Sequence, residues 1–363
     1  MNIVHLITTI CRGGAETQLL TLVKEQKKLG HKVSVYYLKD APELEFDFNS
    51  AGATVHHLLL GKNFLRQIYF FRKAIKGTKT IVHAHLPKSE LLASFAVSHN
   101  RFVISRHNSE PFFPNAPKLI SQLLSNWVSY RSYGCISISG AVNKYLAENR
   151  ELFQKRKQWV IRYGFNPNFI ELKSPSKVLN GNQITIGTVA RLAPQKDLPT
   201  LLKGFAVFSA SKHGTRLQIV GVGSEENNLK SLADSLDIKD KVDWLGRTTK
   251  VYEVMSKMDI FCLTSKYEGF GLVLLEAMQS KIPIVAARNS AIVEVLGEKY
   301  PFLFTTSDHL DLVEKLEKIS MLKFRSEALD YLQERLMLFS PQIMAKRIEQ
   351  VYLEATSEHL EGK

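Results

Sequence analysis

Short apolar runs alternate with helical periodicities along most of this chain. Asn2–Thr8 reads as a first strand, Gly13-Gly14 as a turn, and Ala15–Leu29 as a helix that stops at Gly30. Lys32–Leu38 follows as a strand, and Ile81–His85, Phe102–Arg106 and Cys135–Ser139 supply further strand cores. Helical spacing predicts Phe64–Ile75, Ser89–Ser98, Lys118–Tyr130 and Ala141–Glu148. After Val160–Gly164 comes a polar stretch containing Pro and Asn, Asn166–Asn182, which reads as an interdomain linker. A second alternation then runs through Ile184–Val189, Arg216–Val220, Val242–Leu245, Asp259–Leu263 and Ile282–Ala286. The pattern predicts an α/β protein with two doubly wound domains in series, over residues 1–165 and 166–340. Residues 341–363 are set apart: Pro341–Ala355 reads as an amphipathic helix with Ile343, Ile348, Val351 and Tyr352 on one broad face. Parallel sheets of this kind bind ligands beyond their carboxyl strand ends, so two facing domains would make a cleft.

Length supports two domains, since 363 residues exceed one ordinary core. No apolar run approaches the ~18 residues of a membrane span. The start, MNIVHLITTICRGGAE, lacks the basic leader of a signal peptide. Cys11, Cys135 and Cys262 lie far apart and form no CxxC or metal spacing, which fits a reduced cytoplasm. The charge is more telling. Of 48 Lys and Arg and 35 Asp and Glu, residues 1–170 hold 23 and 10, which leaves 25 of each sign for the rest. The whole net +13 therefore sits in the N-terminal half, which points to an anionic partner met by that half. Within it, Lys62–Lys79 interleaves Phe64, Leu65, Ile68, Tyr69 and Phe71 with Arg66, Arg72, Lys73, Lys76 and Lys79. That suits an anionic membrane surface; the alternative is a core helix with a solvated basic face.

The chemistry concentrates at turns after strands. Glu268-Gly269-Phe270-Gly271-Leu272-Val-Leu-Leu-Glu276 joins two carboxylates, a glycine turn and a helix start, with Leu272–Gln279 as the helix. Helix N-termini present unpaired N–H groups and a positive dipole end, so a diphosphate fits the turn, with one carboxylate on each side for sugar or ribose hydroxyls. Arg191 and Lys196, in ARLAPQK, would lie at a sheet's carboxyl edge and clamp a diphosphate, or form no more than a solvated loop pair. Gly221 and Gly223, in VGVGSE, read either as a structural βα turn or as the lining of a nucleotide-base pocket. Gly13 and Gly14, in RGGAE, leave little bulk at the equivalent turn of the first domain. His107 ends a strand, where it could touch a sugar hydroxyl or phosphate. His83 and His85 would share one strand face as packing or supporting residues, not as metal ligands. GxxxxGK[ST], HExxH and GxSxG are missing, and no acidic metal pair stands out.

Taken in order and spacing, RGGAE, ARLAPQK, VGVGSE and EGFGLVLLE resemble glycosyltransferase family 4 over nearly the whole chain. The resemblance implies a GT-B fold and a retaining, metal-independent transfer from a nucleotide diphosphate-sugar, most simply a UDP-sugar, to a glycan acceptor. The nucleotide sugar is a substrate, and no cofactor is implied. Arg191 and Lys196 would bind the diphosphate and stabilise the departing nucleotide. Glu276 would hold the ribose, and Glu268 would face the donor sugar. Gly14 would approach the diphosphate, and His107 would contact the sugar near its reacting centre. The last helix would cross back to the first domain. Ala190 stands where many members have glycine, and Asn289-Ser290-Ala291 stands where Gly-Gly is usual. With the basic first domain, these features imply a lipid-linked acceptor in cell-surface polysaccharide or lipopolysaccharide synthesis at the inner membrane face. Other classes compete. A nucleotide-sugar epimerase shares the architecture, and a nucleic-acid-binding protein would explain +13 although no such motif is present. A dinucleotide oxidoreductase lacks its GxGxxG after the first strand.

Overall fold

The computed structural model describes residues 1–165 and 184–361. The stretch read as a linker, Asn166–Asn182, lies outside the described residues. The chain divides into two compact units, one drawn from Met1–Asn166 with Phe339–Lys363 and the other from Pro167–Leu338.

The first unit holds seven strands: β1 (Asn2–Ile7), β2 (Lys32–Tyr37), β3 (Thr54–His56), β4 (Thr80–His85), β5 (Phe102–Arg106), β6 (Gly134–Ser137) and β7 (Lys157–Val160). They pair in the order β3-β2-β1-β4-β5-β6-β7, all parallel. β1 and β4 are central and nearly wholly buried on both faces, His5, His83 and His85 included. The order reverses between β1 and β4, and the turn after β1 opens the helix Gly14–Lys28 there. That helix ends at Gly30, whose φ of +82° lets the His31 amide return to the Gln26 carbonyl at 3.1 Å.

The helix Pro341–Glu361 belongs to this first unit, although it follows all of the second in sequence. Met344, Ala345, Ile348, Val351, Tyr352 and Ala355 are its buried face. Ile343, expected on that face, is instead half exposed, because the neighbouring Met344 takes the inward position and accepts from the Gly164 amide at 3.0 Å.

The second unit holds β8 (Thr185–Val189), β9 (Arg216–Val220), β10 (Val242–Gly246), β11 (Ile260–Leu263), β12 (Ile284–Ala287) and β13 (Leu303–Phe304). Their order is β10-β9-β8-β11-β12-β13, again parallel, with the reversal between β8 and β11. Two doubly wound parallel sheets, each flanked by helices, are the predicted class.

One helix inverts the usual pattern. Lys118–Arg131 turns Ser121, Ser125 and Ser129 inward and leaves Leu119, Leu123, Trp127 and Tyr130 exposed along one stripe. The serines can be buried because each is bonded: Ser125 donates to the Glu151 carbonyl at 2.7 Å, and Ser121 and Ser129 accept the Phe113 and Phe153 amides. Periodicity located this helix but not which face is inward.

Candidate active site

In the second unit, the candidate groups gather at the carboxyl ends of β8, β9 and β11, beside the strand-order reversal. β8 delivers Arg191 two residues past its end, and the single turn Pro194–Lys196 brings round the lysine. This loop is fixed from both sides. The Lys266 amide donates to the Gln195 carbonyl at 2.8 Å, and the Thr264 hydroxyl donates to the Lys196 carbonyl at 2.9 Å. From the other side it rests on the glycine turn after β9. The Leu192 amide donates to Val222, and the Leu192 carbonyl accepts from Glu225, both at 3.0 Å. Gly221 holds a φ of +137°, and a Cβ there would stand 1.9 Å from the Ala190 carbonyl oxygen. A Cβ at Gly223 would stand 2.2 Å from that of Leu192. Both glycines thus serve the close approach of one βα turn to another, and through it the placing of Arg191. This packing gives VGVGSE a structural role as a βα turn.

Arg191 is exposed and donates to Gln195 Oε1 at 3.1 Å. Lys196 is partly buried, and its ammonium lies 2.6 Å from Glu268 Oε1. That same oxygen accepts from the Ser265 hydroxyl at 2.7 Å. Glu268 is nearly inaccessible, so it stands here as the counter-charge of the lysine, with Lys196 and Glu268 brought together as one group. Gly271, with φ +88°, is the N-cap of the helix Leu272–Gln279, whose bounds coincide with the sequence reading. Glu276 lies in that helix's second turn, and burial pushes its carboxyl up to about 7. Its charge in turn helps raise the nearby Tyr252 hydroxyl, behind the larger effect of burial.

Three supporting residues were not legible in advance. Asp197 adopts φ +47°, is buried, and accepts from Thr200 at 2.9 Å and Ser307 at 2.6 Å, so it anchors the base of the Lys196 turn. Ser265 orients Glu268. Asn289, in place of the usual glycine, caps the helix Ser290–Leu296 through Ile292 and donates to the Ser265 carbonyl at 2.8 Å. Its substitution therefore tethers the Glu268 loop rather than opening it.

In the first unit, Gly13 and Gly14 begin a helix whose Glu16 carboxylate accepts from the Thr9 hydroxyl at 2.9 Å. His107 follows β5. Its Nε2 is 3.2 Å from His85 Nδ1, and its Nδ1 is hydrogen-bonded to the Tyr163 hydroxyl. Both ring nitrogens therefore already have partners. Burial, with a lesser push from Arg106, lowers its pKa to about 3, so it is a neutral imidazole near pH 7. A cavity of about 20 Å³, room for one water, touches His85, His107, Tyr163 and Met344. One nitrogen from each of His5, His83 and His85 lies within 4.8 Å of the other two, a spacing open to a metal. All six ring nitrogens have partners: His5 bonds to His85 and Gln26, His83 to Tyr352 and Ser105, His85 to His5 and His107.

Two reversed parallel sheets with loop-borne cations and carboxylates at the strand ends define the GT-B architecture of glycosyltransferases. The family described as Glycosyltransferase Family 4 matches residues 12–169, and Glycosyl transferases group 1 matches residues 169–334. The chain belongs to this family of glycosyltransferases. A relative from Haemophilus influenzae described as an uncharacterized glycosyltransferase is 38% identical over 146 residues, 39% of this chain and 41% of that protein. A Campylobacter jejuni α-1,4-N-acetyl-D-galactosaminyltransferase, named for a diphospho-undecaprenol-linked acceptor, is 26% identical across 92% of this chain and 93% of its own. Among solved structures, Anabaena HepE in complex with UDP-glucose superposes with a TM-score of 0.79 at 19% identity, covering 98% of this chain and all of that one. At that identity the likeness speaks for the fold.

Proposed function

We propose that the protein is a retaining, metal-independent glycosyltransferase. It moves a sugar from a UDP-sugar to a glycan acceptor that is lipid-linked and destined for a cell-surface polysaccharide. The observation that carries the donor half is the cluster at the ends of β8 and β11. An exposed guanidinium, a lysine–glutamate pair and the N-terminus of the helix Leu272–Gln279 lie along one connected set of loops. Arg191 and Lys196 take the diphosphate, and their charge stabilises the nucleotide as it departs. Donor binding swaps part of the Lys196–Glu268 attraction for Lys196–phosphate, which releases Glu268 toward the sugar hydroxyls. Glu276 accepts from the ribose. Front-face departure and attack, with the leaving phosphate taking the acceptor's proton, is the chemistry the family resemblance implies. His107, with both nitrogens engaged, serves the sugar as a neutral ring whose orientation its hydrogen bonds fix, not as a titrating base.

The acceptor half rests on the first unit. Its excess positive charge and the outward stripe Leu119-Leu123-Trp127-Tyr130 support contact with an anionic membrane at the cytoplasmic face. Leu65 and Tyr69 add exposed apolar surface on the basic helix Phe64–Ile75. No helix among the described residues is long and apolar enough to cross a membrane.

The experiment is a screen of nucleotide sugars by thermal shift and donor turnover, with Glu276→Ala beside the wild type. A stabilising donor whose effect vanishes in the variant supports the site. A sugar nucleotide converted to its epimer without acceptor would replace transfer by epimerisation. In liposome flotation, Leu123→Ser with Trp127→Ser should weaken recovery on anionic vesicles. Flotation indifferent to anionic lipid and to salt refutes the membrane contact.

A further inference from the structure

The buried histidines of the first unit are more orderly than packing requires. Gln26 Oε1 lies 2.8 Å from His5 Nε2, His5 Nδ1 lies 3.0 Å from His85 Nε2, and His85 Nδ1 lies 3.2 Å from His107 Nε2. The Tyr163 hydroxyl closes that end on His107 Nδ1. In the other direction, Gln26 Nε2 donates to the Tyr352 hydroxyl at 3.3 Å. That oxygen is 2.7 Å from His83 Nδ1, and His83 Nε2 is 2.7 Å from the Ser105 hydroxyl. The groups come from β1, β4, β5, the helices Gly14–Lys28 and Pro341–Glu361, and the segments just after β5 and β7 that carry His107 and Tyr163.

A neutral imidazole has one donor and one acceptor nitrogen, so each bond dictates the next. The Gln26 carbonyl oxygen can only accept, so His5 must carry its proton on Nε2. His5 Nδ1 is then an acceptor, and His85 must donate from Nε2. By the same step His107 donates from Nε2, and Tyr163 donates to His107 Nδ1. On the other branch the Gln26 amide donates to Tyr352, Tyr352 donates to His83 Nδ1, and His83 donates from Nε2 to Ser105. With the Gln26 amide turned over, every bond reverses and all four imidazoles become Nδ1–H. Only these two uniform arrangements satisfy every group. A bare metal site at His5, His83 and His85 would break at least two of these bonds.

We propose that these groups form a single hydrogen-bonded chain of one polarity, and that Gln26, through His5 and His85, is the positioning residue that holds His107 as its Nε2–H tautomer. Burial keeps the chain neutral: it lowers His5 to about 4, and His83 and His85 fall well below the usual histidine range. An extra proton therefore does not scramble the order between pH 5 and 8. Gln26 is 1% exposed and hydrogen-bonds to His5 and Tyr352, so its hydrogen-bonded route to His107 runs through the His5 and His85 rings. The catalytic meaning of the His107 tautomer rests on the glycosyl-transfer reading; the chain itself does not.

The test is the tautomeric state of the histidines in ¹⁵N-histidine-labelled full-length protein, read from one-bond and long-range ¹H–¹⁵N correlations, with purified protein also assayed for bound metal. The expected wild-type result is protonated Nε2 and bare Nδ1 at His5, His83, His85 and His107. Mixed tautomers among the four, uniform Nδ1–H, or stoichiometric zinc on them overturns the proposal without recourse to any variant. Gln26→Met removes the polarity-setting amide, and His107 should then divide between tautomers. Gln26→Glu, when ionised, can only accept from His5 and should retain Nε2–H at His107. A folded Gln26→Met protein with His107 unchanged also overturns it. In turnover, Gln26→Met should lower kcat about tenfold or more, with Gln26→Glu restoring it; unchanged kcat with a changed tautomer refutes the positioning role. A wild type that turns over no donor but shows the four uniform tautomers would instead count against glycosyl transfer and leave the chain intact.

Discussion

Glu276 offers the sharpest link between a burial and a measurable affinity. Its carboxyl is pushed up to about 7 by desolvation, against an ordinary value near 4.5. A ribose diol is best held by the ionised carboxylate, which accepts from both hydroxyls. In the free protein part of the population is protonated at neutral pH, and donor binding must first remove that proton. Donor affinity should therefore rise with pH up to about 7 and level off above it. If only the ionised form binds, the dissociation constant at pH 5.5 should be about thirtyfold higher than at pH 8.5, from a tenfold change per unit below the pKa. The diphosphate of a sugar nucleotide is doubly esterified and does not titrate in this range. His107 and His5 are also silent there, since burial lowers them to about 3 and 4. The assay is isothermal titration with the intact UDP-sugar at five pH values, for wild type and Glu276→Gln. The variant should bind about ten- to a hundredfold more weakly at pH 8.5, the loss of a charge-assisted bond, and its affinity should not vary with pH. The stability sign is opposite. A raised carboxyl stabilises the unliganded fold fully below pH 4.5, and that contribution is lost as pH rises through 7. A wild-type affinity that is flat from pH 5.5 to 8.5, or a slope that persists in Glu276→Gln, refutes the reasoning.

Other expectations follow from single contacts. Gly221→Ala drives a Cβ to 1.9 Å from the Ala190 carbonyl at a φ of +137°; it should cost about 2–3 kcal/mol in thermal denaturation and weaken donor binding by displacing the Arg191 loop. Lys196→Met should cut kcat/KM by about two to three orders of magnitude while leaving KM for the acceptor nearly unchanged, as steady-state kinetics would report. Buried Glu90, paired with Arg106 at 2.7 Å, has its carboxyl raised to about 7 by desolvation. Its contribution to stability is complete below pH 4.5 and lost as pH rises through 7, so Glu90→Gln should narrow the Tm difference between pH 5.5 and pH 8.5.

Where the sequence spoke clearly, one physical constraint dominated a short segment. β1 and β11 are continuous apolar runs because both faces are covered, and the glycine turn before Leu272–Gln279 left one place for that helix to begin. What it could not express was pairing across distance. Lys196 and Glu268 were read as two independent tools, one for phosphate and one for sugar, yet they lie within 2.6 Å across 72 positions of chain. His107 looked like a strand-end side chain free to meet a ligand, but its two nitrogens are claimed by His85 and Tyr163. The serine face of Lys118–Arg131 is buried because backbone groups of distant loops bond it, a condition that no periodicity records. Asn289 differs from the family's habit, and its bond to the Ser265 carbonyl shows how a side chain there holds the loop.

The helix Pro341–Glu361 has a consequence for how the molecule is made. It completes the first unit, covering the helix Gly14–Lys28 and lending Tyr352 to Gln26 and His83, but it is translated only after the whole of Pro167–Leu338. At ordinary elongation rates that interval lasts on the order of ten to thirty seconds. During it the nascent first unit must wait with the apolar seat of Ile348, Val351 and Ala355 uncovered and Gln26 lacking its tyrosine. The second unit, whose segments are contiguous, can fold on the ribosome ahead of the first. Maturation would then run against the order of synthesis, and the vulnerable nascent species is the one with an open amino-terminal unit, a target for chaperones until Pro341–Glu361 emerges.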